Sequence, residues 1–402
     1  NNVLTMAQQW IIIKRTKVKM IQAVENKIPY VNLSAQWNSE KRDLLPLIEK
    51  VMESGIYVGG DNVKVFERNL ARYCGTKYCV ALNSGTDALM CSLLALGVSR
   101  GDEVITPPNS FIASTASIIH VGAKPVFVDV LEDQSIDPSK IERVITDKTK
   151  AIMPVHLTGR MAQMDKIKSI AKKYDLRLIE DAAQSIGSKF DQRLSGSIGD
   201  IGCFSAHPLK NLNACGDGGF IITNSTEVYS KISSYRNHGI VDRNTIREFG
   251  LVSRMDELQA AILNYRLNNL ASTINKRRAN AKIYRKLLNQ NKVFFPLEHP
   301  KCYDSYHTFV IQCDDRPNLI QYLEKTGIQT AIHYPIPIHL QPAAQSLGYM
   351  RGDFPKTENQ AEKILTLPIN QSLSEDQIAW IANTINRFFE SYWNDAICKS
   401  HL

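Results

Sequence analysis

Lys77-Tyr-Cys-Val-Ala-Leu-Asn-Ser-Gly-Thr-Asp-Ala88 is the stretch from which the rest of the chain can be read. Lys77–Leu82 is a short apolar run of strand length. Asn83-Ser-Gly-Thr86 interrupts it, and Asp87 to Leu96 then carries helical spacing. A strand that passes into a helix through a glycine-containing turn is half of a βαβ unit, and the pattern repeats downstream. Glu103–Thr106 reads as a strand followed by a helix through Ser114–Val121. Pro125–Asp129 and Ala151–Val155 are further strands, Met164–Tyr174 a helix and Arg177–Glu180 a strand, with Ile201–Ser205 and Gly219–Thr223 completing the set. Strands and helices alternating at this spacing predict an α/β fold, a mostly parallel doubly wound sheet covered on both faces.

With 402 residues the chain suits two domains. A long helical pattern from Met255 to about Leu288 reads as the link to a second unit. There Tyr306–Cys313, Pro317–Lys325 and Gln329–His333 suggest strand, helix, strand. A last helix runs through Glu375–Phe389 behind the cap-like Ser374. The expected organisation is a tail over 1–27, a large domain over 28–270 and a smaller α+β domain over 271–402. The tail has no clear pattern, and Met20 offers an alternative start.

Composition, 44% hydrophobic and 22% charged, is that of an ordinary soluble globular protein. Half of the +8 net charge comes from Lys14, Arg15, Lys17, Lys19 and Lys27 against Glu25 in the tail, and no interleaved basic and aromatic stripe follows, so nucleic acid is not an expected partner. The uncharged stretch Val104–Ala123 is broken by Pro107, Pro108 and Asn109, which argues against a membrane span. The eight cysteines have no Cys-x-x-Cys pair or metal-type spacing; several sit in apolar runs as buried thiols. Trp10-Ile-Ile-Ile13 is too short for a signal-peptide core. A soluble, cytoplasmic protein without a metal is expected.

Three polar clusters each follow an apolar strand. Ser84-Gly85-Thr86 leaves one strand and opens a helix, where Gly85 permits close backbone approach and the amides with the Thr86 hydroxyl suit a phosphate; the same residues would also serve as a simple helix cap. Asp181, in Leu178-Ile-Glu-Asp-Ala-Ala-Gln-Ser185, follows another strand, so its carboxylate would project into the same crevice; it would also serve as a helix N-cap. Gln184 reads either as a capping-box partner or as a donor to a ring hydroxyl. Lys210, in Cys203-Phe-Ser-Ala-His-Pro-Leu-Lys-Asn-Leu212, supplies an amine, with Ser205 five residues earlier as a further phosphate hydroxyl. Lysine, carboxylate and phosphate cradle together suit pyridoxal 5'-phosphate: a Schiff-base lysine with depressed pKa, and a carboxylate that keeps the pyridine nitrogen protonated. Phe111 reads either as a stacking ring or as a core aromatic. No Gly-x-Gly-x-x-Gly follows a strand, and Gly216-Asp-Gly-Gly219 is only a flexible turn, so a dehydrogenase is disfavoured.

The segments Tyr57-Val-Gly-Gly60, Ser84-Gly-Thr-Asp-Ala-Leu89, Gly122–Asp129, Val155-His-Leu-Thr-Gly159, Glu180-Asp-Ala-Ala-Gln184, Phe204–Asn211, Arg236-Asn-His-Gly239, Ser253–Ala261 and His333–Pro342 occur in order between Ile28 and Ile385. In these the chain resembles the DegT/DnrJ/StrS family of nucleotide-sugar aminotransferases, of the aspartate aminotransferase fold type I. The resemblance implies Lys210 as the Schiff-base lysine, Asp181 as the pyridine partner and Gln184 as the ring-hydroxyl contact. It implies phosphate roles for Gly85, Thr86 and Ser205, stacking by Phe111, and an active site at a homodimer interface. It also implies pyridoxamine phosphate as the intermediate cofactor form, glutamate as amino donor and a nucleotide-linked keto-deoxysugar as acceptor. Arg254, His333 and Tyr334 are the expected substrate contacts. A dehydrase branch carries histidine in place of the lysine; Lys210 favours transamination. A non-catalytic regulatory homologue is the alternative. The chain departs from the family in Gly250-Leu-Val-Ser-Arg254, where many members carry Asn at the place of Val252 for the partner's phosphate; either Ser253 or a neighbouring backbone group replaces it, or the contact is missing. A free keto-acid acceptor would call for a carboxylate-clamping arginine, and the sequence singles none out.

Overall fold

In the computed structural model, which describes residues 27–399 with side chains to residue 390, the tail expected before Lys27 lies outside the described residues. Seven strands form the central sheet: β1 (Tyr78–Leu82), β2 (Glu103–Thr106), β3 (Lys124–Phe127), β4 (Thr149–Ile152), β5 (Arg177–Asp181), β6 (Ile201–Ser205) and β7 (Gly219–Thr223), in the order β1-β7-β6-β5-β4-β2-β3. All run parallel except β7, which is antiparallel to both neighbours. Because six strands share a direction, Leu82, Asp181 and Ser205 end on one edge of the sheet. β7 begins on that same edge, with Gly219 paired to Leu82 on one side and Ser205 on the other.

Two helices that the sequence pattern does not announce precede the sheet. α1 (Leu33–Ser54) starts where the Asn32 side chain accepts from the Ala35 N–H, and ends at Gly55; α2 (Asp61–Cys74) ends at Gly75. Both terminal glycines are left-handed, the usual helix stop. α3 (Gly85–Ala95), α4 (Ile112–His120), α5 (Met164–Lys173) and α6 (Thr226–Tyr235) return between strands. α3 starts at Gly85 rather than Asp87, because the Ser84 hydroxyl caps it by accepting from the Asp87 N–H.

α7 (Glu257–Leu287) runs without a break through the expected boundary at residue 270. Its first half buries Ala260, Leu263, Leu267, Leu270 and Ile274 in one core with α2 residues Phe66 and Leu70 and with Phe204 and Phe220 of the sheet. Its second half gives Ala281 and Tyr284 to another core that includes Ile28 and residues from Val293 to Phe388. There β8 (Phe309–Gln312) pairs antiparallel with β9 (Ile364–Leu367), flanked by α8 (Arg316–Lys325), α9 (Pro355–Lys363) and α10 (Glu375–Lys399). The Ser374 hydroxyl does accept from the Gln377 N–H at the head of α10. The strand expected over Gln329–His333 is reduced to one bridge between Ala331 and Thr366. Pro335 and Pro337 follow at once and cannot donate to a ladder. Among the described residues no helix is long and apolar enough to cross a membrane.

Candidate active site

The strand edge assembles the site. A Cβ on Gly85 would come within 2.7 Å of the Ser205 Cβ, and one on Gly219 would collide with the Ser84 carbonyl and the Gly85 amide. These glycines let the turn that opens α3 press against the ends of β6 and β7, leaving the first amides of α3 beside the Ser205 hydroxyl. Helix N-terminal amides, a nearby hydroxyl and the positive end of a helix dipole form an anion cradle. Thr86 stands at the same helix start, and its carbonyl accepts from Ser117 of α4.

Asp181 is buried at the end of β5. Its carboxylate accepts from the Ser114 hydroxyl at 2.7 Å and from the Ala183 N–H at 3.2 Å. Burial holds its pKa above the ordinary carboxylate range, against the pull of those two bonds and of the Lys210 and His156 charges. Ser114 and Ser117 lie three residues apart on α4, hence on one face, where they reach β5 and α3 in turn. Beneath Asp181, His156 and Glu180 form a buried pair at 2.9 Å. Glu180 also accepts from the amides of Gly196, Ile198 and Gly199. Burial would raise the Glu180 pKa, but the bonds to His156 and the amides outweigh it and keep the group ionised.

Lys210 follows a tight turn in which its N–H donates to the His207 carbonyl at 2.8 Å. Desolvation lowers its pKa from 10.5 to about 8, opposed by Asp181. Gln184 accepts from the Thr158 N–H at 2.9 Å and donates to the Tyr334 hydroxyl at 3.4 Å, so it makes no capping-box bond. Burial and the Asp181 charge together push the Tyr334 phenol up to about 12. Phe111, 55% exposed, is not a core aromatic; its ring lies 5.7 Å from that of Tyr334. His333 bonds to the Thr366 hydroxyl at 3.0 Å, and desolvation with the Lys210 charge lowers its pKa to about 4.

Arg254 stands apart, exposed and donating to Asn237 at 3.1 Å. Arg236 is tied to Glu67 and the Ala81 carbonyl. Ser253 is fully buried, donating to Asp87 at 2.7 Å and accepting from the Asn83 N–H at 3.2 Å. Its hydroxyl therefore braces the head of α3 of its own chain, while Val252 is exposed. Ser114, Tyr30, Arg277 and His307 are site neighbours that the sequence did not mark; only Ser114 left a trace there, as a polar residue on an apolar helix.

The DegT/DnrJ/EryC1/StrS aminotransferase family matches this chain over residues 38–386. The chain belongs to that family. It is 40% identical to a UDP-N-acetyl-3-dehydro-alpha-D-glucosamine 3-aminotransferase of Acidithiobacillus ferrooxidans, covering 90% of this chain and 97% of the relative. It is 40% identical to a "Pleiotropic regulatory protein" of Geobacillus stearothermophilus, over 91% of this chain and 99% of that one. The structure of the Streptomyces venezuelae protein DesV, in complex with a ketimine intermediate, superposes with a TM-score of 0.88 at 35% identity, covering 90% of this chain and 98% of that chain. The fold is thus the type I fold of pyridoxal phosphate enzymes, and the chain is a pyridoxal phosphate-dependent sugar aminotransferase. The residues present fit that cofactor: the glycine-lined cradle suits a phosphate, a buried carboxylate within electrostatic reach of Lys210 suits a protonated ring nitrogen, and burial lowers the Lys210 amine to about 8.

Proposed function

We propose that the enzyme moves the amino group of an amino acid, glutamate first, to a nucleotide-linked keto-deoxysugar in two alternating half-reactions. The observation that carries this reading is Lys210, its amine brought to about 8 by burial and faced by Asp181 at the strand edge that holds the glycine cradle. When bound, pyridoxal phosphate supplies an aldehyde that accepts the amino group and a ring that withdraws electrons from the neighbouring carbon. Gly85, Thr86 and Ser205 would hold the phosphate, and Phe111 would cover the ring. Asp181 holds a proton on the ring nitrogen; a cation there offsets the burial that raises its own pKa. Gln184 orients the ring hydroxyl, while Thr158 and Tyr334 fix the Gln184 amide. Lys210 takes a proton from the donor carbon and returns it, which suits an amine whose pKa lies near working pH. Tyr334 and His333 form the wall facing the sugar.

The functions of the relatives support a nucleotide sugar: one acts on a UDP-linked sugar, and a dTDP-3-amino-3,4,6-trideoxy-alpha-D-glucose transaminase of S. venezuelae is 35% identical. The regulatory relative leaves the alternative of a non-catalytic protein, but Lys210 and Asp181 are both present and electrostatically linked. The two hydrophobic cores support two domains joined by α7, with Ile28 packing in the second core and Ile274 in the first. Exposed Ile56, Tyr57, Phe249 and Val252 support a homodimer. The cysteines described are free, most of them buried, which supports a reducing cytoplasm.

The test is the second half-reaction. The pyridoxamine form, mixed with keto sugar nucleotides and separately with keto acids, should regain its aldehyde-form absorbance with a sugar nucleotide. Fast recovery with pyruvate or oxaloacetate, as well as 2-oxoglutarate, while every sugar nucleotide is inert would reject the sugar assignment.

A further inference from the structure

At Leu209, the chain neighbour of Lys210, lies a small cavity of about 30 Å³, lined in part by Tyr30, Leu209, Arg277, His307 and His333. That is room for one or two waters, or for a carboxylate in their place. Arg277 enters from α7 and is 7% exposed. One terminal nitrogen donates to the carbonyls of Tyr306 at 3.3 Å and His307 at 3.1 Å, the other to the Gln371 side chain at 3.1 Å. Nε has no partner among the described residues, and neither has the buried Nδ1 of His307. Among the described residues every acceptor of this guanidinium is neutral. Desolvation lowers its pKa to about 10, with Tyr30 the one group pulling it back up. His307 and His333, which feel the Lys210 charge, are held neutral by burial.

A buried arginine without an anion is costly, and an unused N–H adds to the cost. Bracing two backbone carbonyls accounts for one terminal nitrogen and leaves Nε unexplained. An anion in the cavity would settle both, and would find imidazoles able to donate to it. The half-reaction beside Lys210 needs a substrate whose amino carbon lies at the amine and whose charge is a carboxylate.

We propose that this cavity is the carboxylate subsite for the amino donor, with Arg277 as its anchor. The assignment rests on the aminotransferase reading above and adds where the donor is held. It also implies that donor and sugar share Lys210 but not their anion contacts.

Glutarate, a dicarboxylate with neither amino nor keto group, probes the subsite without turnover. In the holoenzyme it should bind saturably by calorimetry, raise the melting temperature and compete with glutamate. In Arg277→Gln its Kd, and KM for glutamate, should rise by roughly 10- to 100-fold, the loss expected for a charged hydrogen bond. The keto-sugar half-reaction should lose far less. Arg277→Lys, which keeps the charge and the helix, should recover part of the affinity. Equal losses in both half-reactions, with glutarate affinity unaltered, would assign Arg277 to bracing the backbone and overturn the proposal. Glutarate that fails to compete with glutamate in the wild-type enzyme would overturn it without any variant. Inert sugar nucleotides would refute the acceptor instead, and leave the glutarate result standing.

Discussion

Lys210 and Asp181 are displaced from their ordinary pKa values by one cause acting on opposite charges. Burial disfavours the ammonium and lowers it to about 8; burial disfavours the carboxylate and raises it. Each is the main counter-charge the other has, so removal of either leaves an uncompensated group. Asp181→Asn keeps the shape, since an amide can still meet Ser114 and the Ala183 N–H. It cannot hold a ring proton, and loss of a buried charged partner costs about 3–5 kcal/mol. The glutamate half-reaction should slow by roughly two to four orders of magnitude in stopped-flow measurements. Near-normal turnover would reduce Asp181 to a capping residue. The lysine prediction concerns pH. In the cofactor-free protein Lys210 is protonated and unreactive below its pKa, so acylation by an amine-directed reagent should rise with a midpoint at about 8. Surface lysines titrate near 10.4, and a Lys210 midpoint there, read by peptide mapping, would contradict the burial argument. These two residues and Gln184 were legible in the sequence because each lies at or a few positions beyond the end of an apolar strand. Arg277 was not: α7 places it beside Arg278 in a strongly basic surface pattern, and only folding against Tyr306 and His307 hides it.

At the level of elements, the phosphate cradle depends on backbone proximity rather than on side-chain chemistry. β7 is the strand that breaks the parallel pattern, and Gly219 at its head lies between Leu82 and Ser205. A methyl there would meet the Ser84 carbonyl and the Gly85 amide, main-chain atoms with no rotamer to yield. Gly219→Ala should therefore push the start of α3 off the sheet. We expect a stability loss of about 1–3 kcal/mol, typical of overpacking, with a weaker pyridoxal phosphate Kd by equilibrium dialysis of the apoprotein. Unaltered cofactor affinity would show that the cradle tolerates the shift. From the sequence, Gly216-Asp-Gly-Gly219 reads as a flexible turn, because nothing local reveals which backbone will lie against it. The strand set of the large sheet was legible for the opposite reason: buried parallel strands are short apolar runs on their own. The first two helices were missed, and β9 with them; their places follow from packing against α7 and β8. The strand expected at Gln329–His333 failed on a local rule, the prolines just beyond it.

For the whole molecule, the apolar surface is unevenly distributed. Ile56, Tyr57 and Val58 are each between 43% and 55% exposed, Val252 is 56% exposed and Phe249 99%. Val58 bridges to Asp256, and Val252 to Asn237, so the backbone joins these segments near the head of α3 that Ser253 braces. A phenylalanine left wholly in water is unusual for an isolated subunit, and clustered exposed apolar residues mark interaction surfaces. A self-complementary contact through Phe249 and Val252 would bury these side chains against a second copy of the chain. It would also suit Val252, since a buried apolar contact needs no hydrogen-bond partner. The wild-type protein should therefore sediment at twice 45.2 kDa. Phe249→Asp, which sets a charge in the contact, should shift it towards the monomer without unfolding it, because this side chain packs against nothing among the described residues. If the site is completed across the interface, pyridoxal phosphate affinity should fall in parallel with the dimer fraction as the variant is diluted. A variant that stays monomeric and binds cofactor as the wild type does would place the whole site within one chain. A wild-type protein that sediments as a monomer would leave the exposed Phe249 without the role given to it.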